Sequence, residues 1–219
     1  MAVEITVSET VEEFHRPERA VLSVQVSFDG PDKSGVRERT VTVADDIAAG
    51  LAGLLDAEHG PVTRYSRAGL ATWADRPWNA QGQQLPPVHH ATDRFSITFA
   101  DFSVLADWLD RHAAVEGVAM TGIEWRLTRR RAEQVSAGVR SAAVQAARAK
   151  AQAYADSLEL GPVRPVSIAD QGMLTRDTGG DRPIPLRAMA AAGVDAAPAI
   201  LPEDVRIWAV VDARFSAGD

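Results

Sequence analysis

The 219 residues are 46% hydrophobic and 24% charged, the balance of an ordinary globular chain long enough to bury a sizeable core. Thirty acidic against 23 basic residues leave a net charge of -7, which argues against general affinity for nucleic acid or membrane surfaces, since both need excess positive charge. The absence of cysteine excludes disulfides, thiol catalysis and thiolate metal sites.

Alternation at Val3, Ile5 and Val7 predicts a strand over 3–8. Leu22, Val24, Val26 and Phe28 alternating with Ser23, Gln25 and Ser27 predict a second over 20–28. Pro17 lies between them and removes a ladder donor, so a turn or irregular edge is expected there. Ser34 is the expected N-cap of a helix running to about residue 56, with Val36, Thr40, Val43, Ile47, Leu51 and Leu54 as its apolar stripe. Gly50 and Gly53 weaken that helix by about 1 kcal/mol each relative to alanine, which points to close packing around them. Short strands follow over 62–66 and 70–74. Residues 75–90, rich in Pro, Gly and Gln, read as an extended loop or hairpin tip. A strand resumes over 94–99. Leu105, Trp108 and Leu109 mark a helix over 102–112 closed by Gly117, and Ile123, Trp125 and Leu127 mark a strand over 120–127.

The longest helical pattern spans 133–158. Val135, Val139, Ala142, Ala146, Ala149 and Ala153 recur at spacings of four and three and predict a narrow, mostly alanine seam that lets a sheet approach closely. Gly161-Pro162 breaks the chain before a short strand over 163–169. Residues 171–204 form a long stretch of Gly, Pro, Ala and Met without periodicity, and a closing strand over 206–215 presents Ile207, Ala209, Val211, Ala213 and Phe215 on one face. The order is β-β-α-β-β-β-α-β-α-β-β. Strands joined without helical crossovers favour antiparallel pairing, so the expected class is α+β, a mainly antiparallel sheet with helices packed on it, in one domain over 1–219.

The segments VEITVSE, PERAVLSVQVSF and FSITFADFSVLADWLD to GIEWRLT resemble the SIMPL-domain family, of unknown function. So do AVQAARAKAQAYADSLELGPVRPVSIAD, with its Ala-Arg-Ala-Lys-Ala core at 147–151, and the closing VRIWAVVDARFSA. The resemblance implies two α/β halves, self-association into ring-like or larger homo-oligomers, and no established catalytic residues. Relatives of this kind are associated with oxidative stress and are often periplasmic. The opening MAVEITVSETVEEF has neither a basic region nor an apolar run of signal-peptide length, so the chain as written is expected to be cytoplasmic, and no segment is long and apolar enough to span a bilayer.

No Gly-x-Ser-x-Gly elbow, Walker loop or dinucleotide fingerprint occurs, and no cofactor is implied. His89 and His90 are adjacent in an extended stretch, point to opposite faces and make a poor chelate. Arg129, Arg130 and Arg131 form the basic cluster, with a solvated or interface role expected. Trp73 and Trp78 flank the proline-bearing loop as packing or contact residues. Lys33 and Lys150 are the only lysines, which reads first as codon bias. The sequence therefore predicts a non-enzymatic, self-associating protein whose loops at 75–90 and 171–204, with Met189 and Ile200 in the second, supply contacts. The alternative is a binding module holding a small apolar or anionic ligand between helix and sheet through Trp73, Trp78 or the arginine cluster.

Overall fold

The structure, a computed structural model, describes residues 2–174 and 201–218. In chain order its elements are β1 (Val3–His15), β2 (Arg19–Gly30), α1 (Lys33–Ala52), β3 (Val62–Arg67), β4 (Ala71–Asp75), β5 (Val88–Phe99), α2 (Phe102–Ala113), β6 (Val118–Arg126), α3 (Arg129–Ser157), β7 (Arg164–Asp170) and β8 (Val205–Ala217). Order and class agree with the sequence reading: α+β, with the named strands paired antiparallel. The chain divides into two compact units, one containing β1, α3, β7 and β8, the other β2 to β6 with α1 and α2.

In the first unit the sheet order is β1-β8-β7. β1 and β8 pair from Val3↔Ala217 to His15↔Val205, so β1 runs well past the strand predicted over 3–8. Alternation sends Ile5, Val7, Val211, Ala213 and Phe215 to the α3 side, where they are buried. The helix meets them through Ala143, Ala147, Ala151 and Ala155, while Val135 and Val139, two turns and one turn earlier in the same row, pack with Leu127, Val11 and Ile207. This corrects the predicted seam, because Ala149 and Ala153 are exposed. A row of strict fours is a ridge inclined to the helix axis, and on a twisted sheet that ridge makes the contact in place of the axial line of alternating threes and fours. The helix ends at Ser157, before Gly161-Pro162, with Glu159 at φ 56 and the Leu160 amide donating to the Ala155 carbonyl at 2.9 Å. A left-handed residue followed by such a bond is a Schellman-type stop.

In the second unit the sheet runs β3-β5-β2-β6, with β4 also paired to β5. Leu22, Val24, Val26, Ile97 and Phe99 face α1 and α2 and form the core with Leu51, Leu105 and Trp108. Asp32, not Ser34, caps α1. Its carboxylate accepts from the Ser34 and Gly35 amides at 3.1 and 3.0 Å, and the Ser34 hydroxyl donates to it at 2.8 Å, so the serine serves the cap from inside the helix. Asp101 caps α2 in the same way. Gly50 and Gly53 do not mark close packing: a Cβ at Gly50 meets nothing within 4 Å, and one at Gly53 meets only the Gly50 carbonyl at 3.7 Å. Gly117 does, because at φ +80 a Cβ there would lie 2.4 Å from the Phe28 ring. β5 begins at Val88, six residues before the predicted strand, because β4 pairs with its first half and makes 76–87 the tip of a hairpin.

Candidate functional site

The Asp32 cap fixes where α1 starts, and that start puts Lys33 and Arg37 one turn apart on one helix face. The Ser34 hydroxyl and then the Gly35 and Ser34 amides hold the Asp32 carboxyl below the usual carboxylate range. It therefore stays an acceptor for the helix end. Opposite lies the β4–β5 ladder, where Thr72 pairs with Ala91, Trp73 with His90 and Ala74 with His89. Ala91 is buried in the core beneath α1, so alternation turns Thr72, Ala74 and His89 toward that helix and sends Trp73 and His90 the other way. There the Trp73 and His90 rings stack, with centroids 5.1 Å apart and planes 13° apart, and His90 Nε2 lies 3.3 Å from Asp75 Oδ1.

Between helix and ladder is a pocket of about 170 Å³ lined by Lys33, Arg37, Thr72, Ala74 and His89, with Trp73 and His90 at its strand edge. Among the described residues no carboxylate forms an ion pair with Lys33 or Arg37. Two basic side chains, a histidine and a hydroxyl thus line one small volume, with the capping Asp32 carboxylate within electrostatic reach of His89. Its size is well below that of a pocket for a drug-sized ligand, and its chemistry suits a single compact oxyanion. Among the described residues no group of three or more His, Asp or Glu side chains lies together to hold a metal ion.

The candidates named from the sequence separate. Trp73 belongs to the ladder that walls this pocket. Trp78 sits on the hairpin tip, 66% exposed, bridged to Gln84, and does not line it. Arg129, Arg130 and Arg131 form the first turn of α3 in the other unit. Arg129 Nε donates to Glu133 at 2.8 Å, and Arg131 points its Nη1 at Gln134 at 3.5 Å. Met189 and Ile200 lie outside the described residues. Lys33, Arg37, Thr72 and His89 were not singled out as a set. The signal available was a lysine in a lysine-poor chain, four residues before an arginine and directly after the Asp32 cap. Lys150, the other lysine, bonds Glu9 at 2.9 Å and the Ser8 carbonyl at 3.0 Å.

The model of the SIMPL family, described as a protein of unknown function (DUF541), matches residues 5–215, nearly the whole chain and both units. The chain belongs to the SIMPL family. No curated protein matches it. Membership fixes no reaction for this SIMPL protein. No helix among the described residues is long and apolar enough to cross a membrane.

Proposed function

We propose that this SIMPL protein is a non-enzymatic binding module for a small oxyanion, held between α1 and the β4–β5 ladder. The observation that carries the reading is the pairing of Lys33 and Arg37, without carboxylate partners among the described residues, over a pocket of about 170 Å³ that also receives His89 and Thr72. An apolar ligand would leave these polar groups desolvated and unpaired, which disfavours the apolar half of the sequence-based alternative. Isothermal titration calorimetry with inorganic phosphate and with sulfate at low salt tests it. Saturable binding that weakens about tenfold or more in the Lys33→Ala/Arg37→Ala double variant is expected. Equal binding by the double variant, or no saturable heat from either anion, rejects the site.

Self-association is the second reading, and a different observation favours it. In the first unit α3 covers one sheet face; on the other, Phe14 and Trp208 are 59% and 48% exposed. Glu12 pairs with Trp208 and Phe14 with Arg206, so the two aromatic side chains are diagonal neighbours within reach of each other. Light scattering behind a sizing column measures the mass. A multiple of 23.5 kDa that falls to the monomer in Phe14→Ser/Trp208→Ser supports assembly through this face, and a monomeric parent chain removes it.

A further inference from the structure

The face of the five-stranded sheet opposite α1 and α2 carries a second concavity, of about 510 Å³, lined by Ser23, Gln25, Ser66, Arg94, Ser96 and Thr121 among others. This volume lies in the range of small-molecule sites. Its lining follows from the same alternation that buries Leu22, Val24, Phe95 and Ile97 beneath the helices. Register lays the hydroxyls in a row: Ser66 pairs with Ser96, and Ser96 with Ser23, so three serines stand abreast across β3, β5 and β2 at the strand spacing of about 4.8 Å. A bulge extends the row. Ser23 pairs with Gly122 and Val24 with Met120, leaving Thr121 as the extra residue, and its hydroxyl reaches the Ser23 carbonyl at 3.3 Å.

Arg94 stands one row further along β5, opposite Gln25, with its Nε donating to the Gln25 amide oxygen at 3.3 Å. Among the described residues its terminal nitrogens have no carboxylate partner, and the three serine hydroxyls make no hydrogen bond. Thr92, on the same strand side two residues from Arg94, is 6% exposed, and its hydroxyl is buried without a partner. Unspent hydroxyls around one guanidinium select a ligand rich in hydroxyls with one planar anionic group. An apolar guest would strand the hydroxyls, and a polyanion would meet a single free cation, because Arg67, the other arginine in the lining, is bonded to Asp93 and Asp45. A carboxylate matches the guanidinium fork bidentately.

We propose that this open sheet face is a binding site for an acidic monosaccharide of the hexuronate type, its carboxylate on Arg94 and its ring hydroxyls along the Ser66-Ser96-Ser23 row. The site is separate from the oxyanion pocket and independent of it. The test titrates the isotope-labelled full chain with glucuronate, glucose and acetate in parallel and follows the amide resonances. Glucuronate is expected to give saturable shifts at Ser23, Ser66, Arg94 and Ser96, with glucose and acetate each weaker by about tenfold or more. Arg94→Gln, at an exposed side chain, lowers glucuronate binding to the level of glucose, and Ser23→Val lowers glucuronate and glucose binding together. The Lys33→Ala/Arg37→Ala variant leaves these shifts intact, which separates this site from the oxyanion pocket. Absence of saturable glucuronate shifts, acetate binding as tightly as glucuronate, or an Arg94→Gln variant that binds like the parent overturns the proposal.

Discussion

Where α3 meets its three-stranded sheet, the helix contributes Ala143, Ala147, Ala151 and Ala155 and the strands contribute Ile5, Val7, Val211 and Phe215. Where α1 meets the five-stranded sheet, the helix contributes Val36, Ala44, Ile47 and Leu51 and the strands Leu22, Val24, Ile97 and Phe99. Full burial of a large apolar side chain contributes about 1.5–3 kcal/mol, and a methyl far less, so the α3 layer draws its apolar burial mainly from the strands. The alanine row brings the helix backbone close to the sheet and supplies strong helix propensity over 29 residues. Large interdigitating side chains do the corresponding work in the other unit. The difference also appears in polar burial. Asp93 is 1% exposed in the second unit, its carboxylate bonded to Arg67 Nε at 2.6 Å, while Arg67 Nη1 reaches Asp45 of α1 at 2.7 Å. Those bonds, Asp45 first, raise the Arg67 pKa further above its ordinary value.

Removing that arginine is the largest expected break in the comparison. Arg67→Ala leaves Asp93 buried without its counter-charge and should cost about 3–5 kcal/mol in urea denaturation, whereas loss of an exposed pair such as Arg129–Glu133 should cost less than about 1 kcal/mol. A loss no larger than the exposed pair's would mean that water reaches Asp93.

The alanine row is sharpened by overpacking. Ala147→Leu should destabilise the chain by about 1–3 kcal/mol, because the added isopropyl group has to fit where Ala147 is fully buried. Ala149→Leu, on the exposed side, should be near neutral. Equal effects at 147 and 149 would show that the alanines serve helix propensity alone.

The smallest effect concerns the caps. The carboxyls of Asp32 and Asp101 are lowered, first by the Ser34 and Ser103 hydroxyls and then by helix amides. A depressed folded value contributes stability that is present above the unfolded pKa of about 3.9 and is lost as the pH falls through the lower folded value. Asp101→Asn keeps a cap that does not titrate, so it should flatten the acid limb of a pH–stability curve slightly while changing little at neutral pH. An unchanged acid limb would remove Asp101 from the acid response.

Alternation of period two predicted most of the strands, and punctuation by Asp-Gly, Gly-Pro and the Gln-rich hairpin tip predicted where the chain turns. Both are local properties of the backbone. The length of β1 was not legible, because Glu12, Glu13 and Phe14 break the apolar alternation and are held in the ladder by partners almost two hundred residues away in β8. The start of β5 was missed for the same reason: His89 and His90 are recruited by β4, and a sequence window sees a polar loop. The candidate site was legible in Trp73, read as a contact residue, and in His89 and His90, weighed there as a metal chelate and not as part of an anion pocket. Lys33 and Arg37 carry the signature of a solvated helix face until the ladder is placed opposite them.

The sequence by itself determined the α+β class, the order of eleven elements and the existence of a long alanine-faced helix, since each rests on short-range periodicity, capping and turn chemistry, and it carried the SIMPL membership through the likeness of its segments to that family. Tertiary structure decided which alanines touch the sheet, through the inclination of the fours ridge on a twisted surface. It decided that Arg67 is spent on Asp93 while Arg37 and Arg94 find no carboxylate among the described residues. It also decided that three serines distant in the chain stand in one row. Strand register sets these neighbourhoods, and register is fixed by pairings between segments that no local pattern connects.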